Sequence, residues 1–155
     1  MTLSDQHVLR DGDGWQRCDE GHHHWGRFGA AGLLVVAAGR VLLQHRAPWS
    51  HQGDTWGVPG GARASTETAE QAALREAAEE TGLDPLLVTV RSSSVDDHGG
   101  WSYTTVVADA PRLLDVHSED RESTAVRWVP VDEVGLLPLH PGFAASWPAL
   151  RAQLG

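Results

Sequence analysis

The chain has 155 residues, 41% of them hydrophobic, and a formal net charge of −9, the size of one domain able to bury a sizeable core. Its acidity argues against a nucleic-acid polymer as partner, because phosphate backbones are held by Lys and Arg clusters. A nucleotide is compatible with it wherever divalent cations lie between the two sets of anions.

Residues 1–25 are polar and rich in Gly, Asp and His, and read as a loosely ordered arm or an edge hairpin of the same domain as residues 26–155. The start lacks a basic region followed by an apolar one, and the longest apolar run, 33–38, is far too short to span a bilayer. Cys18, the single cysteine, has no partner for an internal disulfide. A soluble, cytoplasmic protein with no membrane partner is expected. His22, His23 and His24 point in different directions, and no Cys or His spacing of a structural zinc site accompanies them, so no specific metal site is expected there.

Residues 28–38 are apolar and β-branched enough for a buried strand, with 41–46 as its hairpin partner after Gly39-Arg40. Residues 48–55 read as a loop, 56–58 as a short strand ending at Pro59, and Gly60-Gly61 as a tight turn. Thr68 with Gln71 three residues on forms a capping-box pattern, predicting a helix to about residue 81 with Gly82 as its left-handed stop. Strands are expected over 86–95 and 101–108, joined by a turn at 96–100, and over 124–129. A short turn or helix at 131–134 and a terminal helix over 142–154 complete the chain. Strands interspersed with two helices predict an α/β fold, a mixed sheet packed between helices.

The first of those helices carries Glu76, Glu79 and Glu80 at i, i+3 and i+4. Glu79 and Glu80 fall in its last turn, where the partial negative charge of the terminal carbonyls repels them, and Glu76 adds like-charge repulsion. A helix selected only to fold would carry Lys or Arg there. The pattern makes sense when a cation lies between the side chains, and hard oxygen ligands suit Mg²⁺ or Mn²⁺.

Gly61, Glu67, Arg75, Glu76, Ala77, Glu79, Glu80, Gly82 and Leu83 occupy every fixed position of the Nudix box, and on these residues the chain resembles the Nudix hydrolases. The resemblance implies an α/β/α sandwich with a central mixed β-sheet, and Mg²⁺-dependent hydrolysis of the phosphoanhydride of a nucleoside diphosphate derivative. It implies Glu79 and Glu80 as the closest metal ligands and Glu76 as a further one, with Glu76 or Glu79 as the base that activates water. The carbonyl of Gly60 is an implied ligand as well, and Arg75 with Glu67 is implied to orient the carboxylates. Glu122, six residues ahead of Trp128, matches an additional carboxylate of many relatives, with Asp96 and Asp97 in reserve.

In the layout around Arg46, in residues 101–109 and in the His140-Pro141-Gly142-Phe143 segment, the chain looks like actinobacterial MutT-like proteins. That likeness implies Arg46 on the substrate phosphates and His140 near the place of a base-reading asparagine. Trp101 and Tyr103 are candidates to stack on a base. The implied substrate is a small-molecule nucleotide, a modified nucleoside triphosphate such as 8-oxo-dGTP, cut to monophosphate and pyrophosphate. A nucleoside diphosphate sugar or a dinucleoside polyphosphate is the alternative within catalysis, and a non-catalytic nucleotide-sensing module is the alternative outside it.

Overall fold

A computed structural model describes residues 10–119 and 123–154. In chain order its elements are β1 (Trp15–Arg17), β2 (His23–Trp25), β3 (Ala30–Ala37), β4 (Arg40–Arg46), β5 (Trp56–Gly57), β6 (Gly60–Ala62), helix α1 (Ala69–Thr81), β7 (Thr89–Asp97), β8 (Ser102–Asp109), β9 (Ser123–Pro130) and helix α2 (Pro141–Gln153), with 3₁₀ turns at Pro85–Leu87 and Val131–Leu136.

The main sheet is mixed. β3 runs parallel to β8 and antiparallel to β4 and β6, β8 is flanked by antiparallel β7, and β4 pairs antiparallel with β9 and β5. β3 is buried on both faces, which is why it reads as an almost unbroken apolar run. Leu33, Val35, Leu42 and Val106 face the small-residue side of α1, formed by Ala72, Ala73 and Ala77. Leu34, Val41, Leu43 and Val107 face Phe143, Trp147 and Leu150 of α2. Two cores on opposite sides of one sheet make the α/β/α sandwich.

β3 and β4 pair only at Val36↔Val41 and Ala37↔Arg40 before they separate. Beyond that point β6 takes the free edge of β3, at Ala30–Gly32, and β5 takes that of β4, at Gln44 and His45. The Gly60-Gly61 segment, expected as a turn, is therefore a short strand, because its backbone groups find partners in the gap. The expected start of the next strand also moves. Asp84 accepts a hydrogen bond from Leu86 N at 2.9 Å and caps a 3₁₀ turn with Pro85 in its first position, so β7 begins at Thr89 and runs to Asp97.

The N-terminal segment forms a hairpin, but not at an edge of the main sheet. β1 and β2 make a two-stranded sheet of their own, with Trp15↔Trp25 and Arg17↔His23 in register. It is tied to the β7–β8 turn by the Asp19 N to Gly99 O hydrogen bond at 2.7 Å. Among the described residues, no helix is long and apolar enough to cross a membrane.

Candidate active site

Helix α1 begins and ends as its sequence dictates. Thr68 Oγ1 accepts from Gln71 N at 3.1 Å and Gln71 Oε1 accepts from Thr68 N at 2.9 Å. At the other end Gly82, at φ 72°, donates to Ala78 O, a left-handed stop that costs glycine nothing. The carbonyls of Glu80 and Thr81 accept from Glu119 N and His117 N at 2.8 and 3.0 Å, so the last turn is closed by backbone donors and not by a cationic side chain.

Arg75 organises the carboxylates of this helix. Its Nε and Nη2 donate to the two oxygens of Glu67 at 2.6 and 2.8 Å, and Nη1 donates to Glu76 at 2.8 Å and Glu79 at 3.3 Å. Nη2 also reaches the Ala62 carbonyl of β6 at 3.1 Å, fixing the helix against that strand. The planar guanidinium fork suits this task in a way a lysine cannot match. Each member of the Arg75–Glu67 pair stabilises the other's charge, holding Glu67 below the usual carboxylate range and Arg75 above its own.

The three glutamates of the predicted trio have different surroundings. Glu76 is only 8% exposed, and its carboxyl lies on Gly61, where any Cβ would stand 2.6 Å from Glu76 Cδ. Burial pushes its pKa up, Arg75 opposes that, and the Glu79 charge adds to it. Glu80 Oε2 accepts from Gly60 N at 2.9 Å, which joins the last turn of α1 to the start of β6. Glu79 is the most exposed of the three, and its Oε1 pairs with Arg10 Nη2 at 2.5 Å.

Whether this group fits a divalent cation can be tested on its charges. Glu67, Glu76, Glu79 and Glu80 supply four carboxylates, while Arg75 and Arg10 supply two guanidinium groups. Carboxylates crowd one short stretch of partly buried surface, and all its side-chain ligand atoms on the acidic side are hard oxygens. That fits Mg²⁺ or Mn²⁺ and does not fit a soft metal.

Tyr103 and Arg46 adjoin this group. The Tyr103 hydroxyl packs over Gly60, where a Cβ would lie 2.8 Å from it, and burial, with Glu80 next, holds the phenol well above its ordinary pKa. Arg46 donates from Nε to His51 O at 2.9 Å and contributes its positive charge to the surroundings of both Tyr103 and His140. His140 is the N-cap of α2, its Nδ1 accepting from Gly142 N at 3.0 Å. Burial, then Arg46, bring its pKa down to about 4, so the imidazole is neutral at physiological pH.

Other candidates lie elsewhere. Trp101 stacks on His24 with ring centroids 4.0 Å apart and planes at 9°, so one face of the indole is covered by the chain itself. Asp96 bonds His98 and Asp97 accepts from Gly99 N, both from the end of β7 to the turn that follows it. Glu122 lies outside the described residues. Arg10, 69 positions away from Glu79, was invisible to sequence reasoning, which has no signal for so distant a pair. Nothing in the sequence marks Gln44 of β4 either. It is 5% exposed, and its Oε1 is buried without a hydrogen-bond partner.

The NUDIX domain profile matches residues 26–152, and the chain belongs to the Nudix family. It is a Nudix hydrolase, an enzyme of the pyrophosphohydrolase type. It is 55% identical to a Mycobacterium tuberculosis protein named "Putative 8-oxo-dGTP diphosphatase 3", over 94% of this chain and 72% of that one. It is 40% identical to the nucleoside triphosphate pyrophosphatase/Nudix hydrolase fusion protein of Bifidobacterium longum, over 96% of this chain and 33% of that protein's length. The crystal structure of RenU, a Nudix hydrolase of M. smegmatis, superposes with a TM-score of 0.87 at 53% identity, covering 92% of this chain and 95% of that one.

Proposed function

We propose that this enzyme hydrolyses a modified nucleoside triphosphate such as 8-oxo-dGTP to the monophosphate and pyrophosphate, with Mg²⁺ as cofactor. The observation that carries the reading is the carboxylate group on α1, oriented by Arg75 and anchored to Gly60, a set of hard oxygen atoms suited to a divalent cation. The substrate class is supported by the 55% identity to a protein named for 8-oxo-dGTP hydrolysis.

Glu76, Glu79, Glu80 and the Gly60 carbonyl would hold the cation, with Glu122 as a further ligand on its spacing from Trp128. Bound there, Mg²⁺ neutralises the phosphates and acidifies water. The chain's own residues do the rest. Arg75, itself placed by Glu67, keeps the carboxylates of Glu76 and Glu79 in one orientation, so that little reorganisation accompanies the reaction. Glu76 or Glu79, each bonded by Arg75, is the base that takes the proton from water. One anhydride P–O bond breaks as the water oxygen bonds phosphorus, and the departing phosphate carries the negative charge.

Arg46 supplies a fork of donors for the phosphates. Tyr103 and neutral His140 present an aromatic face and a ring nitrogen to the nucleoside. Trp101 contributes at most its uncovered face. Residues 1–25 belong to the same catalytic domain in this reading, supported by the Arg10–Glu79 ion pair.

The test is a panel of canonical and oxidised nucleoside triphosphates, nucleoside diphosphate sugars and dinucleoside polyphosphates, scored for pyrophosphate and phosphate with Mg²⁺ and with Mn²⁺. The highest kcat/KM is expected for a modified triphosphate, with pyrophosphate as product. Turnover confined to sugars or dinucleotides would overturn the substrate, and no turnover of any member with either metal would overturn the reading.

A further inference from the structure

The N-terminal hairpin and the β7–β8 turn bring together a second group of ligating atoms, chemically unlike the first. Ligand atoms of Cys18, His24 and His98 all lie within 4.8 Å of one another, and so do those of Cys18, Glu20 and His22. Cys18 is common to both sets, is 4% exposed and carries a free thiol. Glu20 joins the sets from the other side, its Oε2 lying 3.8 Å from Nδ1 of both His22 and His98.

Two details point to a ligand and not to packing alone. The His24 Nε2 atom is buried and has no hydrogen-bond partner, an uncommon state for a ring nitrogen that a metal ion would satisfy. His98 is oriented as metal-bound histidines are: its Nε2 is bonded to Asp96 Oδ2 at 2.9 Å, leaving Nδ1 turned toward Glu20. The local fold supports the same arrangement. The hairpin end is closed by Cys18 N to His22 O and Gly21 N to Cys18 O hydrogen bonds, both 2.9 Å, while His98 is held by its N–H to Trp101 O at 2.8 Å.

We infer that Cys18, His24, His98 and Glu20 form a structural Zn²⁺ site that fastens the β1–β2 hairpin to the β7–β8 turn. One thiolate, two imidazoles and a carboxylate are a borderline-soft, four-ligand set, the chemistry of zinc and not of Mg²⁺. With Zn–S about 2.3 Å and Zn–N about 2.0–2.1 Å, Cys18, His24 and His98 draw together to close around the ion and Glu20 turns toward it. Binding converts the Cys18 thiol to a thiolate and releases its proton to solvent. The consequence reaches beyond the hairpin. The segment leading into β1 carries Arg10, paired with Glu79, and Asp11, which accepts from Ser65 N at 2.9 Å.

The experiment uses the full chain, stripped with a chelator and then dialysed into excess Mg²⁺. Zinc is titrated by calorimetry, and Co²⁺ is added as a spectroscopic substitute. The expected result is one Zn²⁺ per chain, with tetrahedral d–d bands and a thiolate-to-cobalt charge-transfer band. Cys18→Ser is expected to abolish the charge-transfer band, and Cys18→Ser and His98→Ala each to weaken zinc binding by about 10–100-fold or more. Glu79→Gln is expected to leave the zinc isotherm unchanged, which separates this site from the one on α1. His98 lies in the turn, so His98→Ala tests the site even if Cys18→Ser folds poorly, and the cobalt spectrum of the unaltered chain needs no variant. An octahedral cobalt spectrum without charge transfer, zinc uptake abolished by Glu79→Gln, or wild-type affinity in Cys18→Ser would each overturn the proposal.

Discussion

The two sides of the candidate site are built on different scales. Glu67, Arg75, Glu76, Glu79 and Glu80 come from one helix and the loop before it, and every contact among them follows from helical spacing and one arginine. The facing side takes Arg46 from the end of β4, Tyr103 from β8 and His140 from the N-terminus of α2, three elements brought together only by the sheet. The first side is a local structure that another sequence could carry intact. The second depends on the register of the whole fold, and can vary without disturbing the first. In the function proposed above, chemistry common to a family is carried by the helix and the choice of substrate by the residues opposite it.

Variants on the two sides should therefore fail in different ways. Glu79→Gln and Glu80→Gln should cause the largest losses, because each removes a charge that balances a divalent cation. An effect of several kcal/mol on the transition state corresponds to about 10³-fold in kcat/KM. Turnover assays across a Mg²⁺ titration check this. Wild-type rates in both variants would separate the carboxylates from catalysis altogether.

Arg75→Ala should come next, at about 10–100-fold in kcat, since it acts by orienting Glu76 and Glu79 and not by touching substrate. Arg75→Lys should recover little, because a single ammonium cannot bond both oxygens of Glu67 and reach Glu76 as well. Full rescue by lysine would reduce Arg75 to a simple positive charge. A KM effect with unchanged kcat would move it to the substrate side.

This contrast also explains what could be read from the sequence. The helix, its Thr68 cap, its Gly82 stop and the carboxylate spacing were legible because each is fixed by residues a few positions apart. The burial of both faces of β3 was legible as an unbroken apolar run. The short pairing of β3 with β4 was not, because nothing local shows that two hairpin strands will part to admit β5 and β6. Long-range partners were hidden for the same reason. The Arg10–Glu79 pair, the stacking of His24 on Trp101 and the approach of Cys18 to His98 each join segments far apart in the chain. Spacing along the chain likewise does not show that His22 and His24 each come within 4.8 Å of Cys18.

On the facing side, Arg46→Ala should raise KM about tenfold and change kcat little, as expected when a charge-assisted bond of about 1.5 kcal/mol is lost equally from ground and transition states. A fall in kcat with unchanged KM would place Arg46 among the groups acting on the transition state and erase the distinction between the two sides.

The smallest effect is on stability, and here burial gives the two sides opposite signs. Burial raises the Glu76 pKa above its ordinary 4.5, so from that pH up to the raised value the folded chain keeps a proton that the unfolded chain has released. Its contribution is full below 4.5 and is lost as pH rises through the folded pKa. His140 behaves inversely. The unfolded chain takes up a proton below 6.5 and the folded one only near 4, so the contribution of His140 is full above 6.5 and is lost as pH falls toward 4. The metal-free Glu76→Gln variant should therefore melt higher than the parent at neutral pH, by about 2–4 °C if removing the buried charge is worth on the order of 1 kcal/mol. The gap should shrink in acid. His140→Asn keeps an N-cap acceptor and should flatten the acid limb while leaving the neutral melting temperature near that of the parent. Adding Mg²⁺ should narrow the gap between Glu76→Gln and the parent, because the cation offsets the charge that the substitution deletes. Equal melting temperatures at neutral pH without metal would mean that the Glu76 carboxylate is solvated, and the burial argued for it would be wrong.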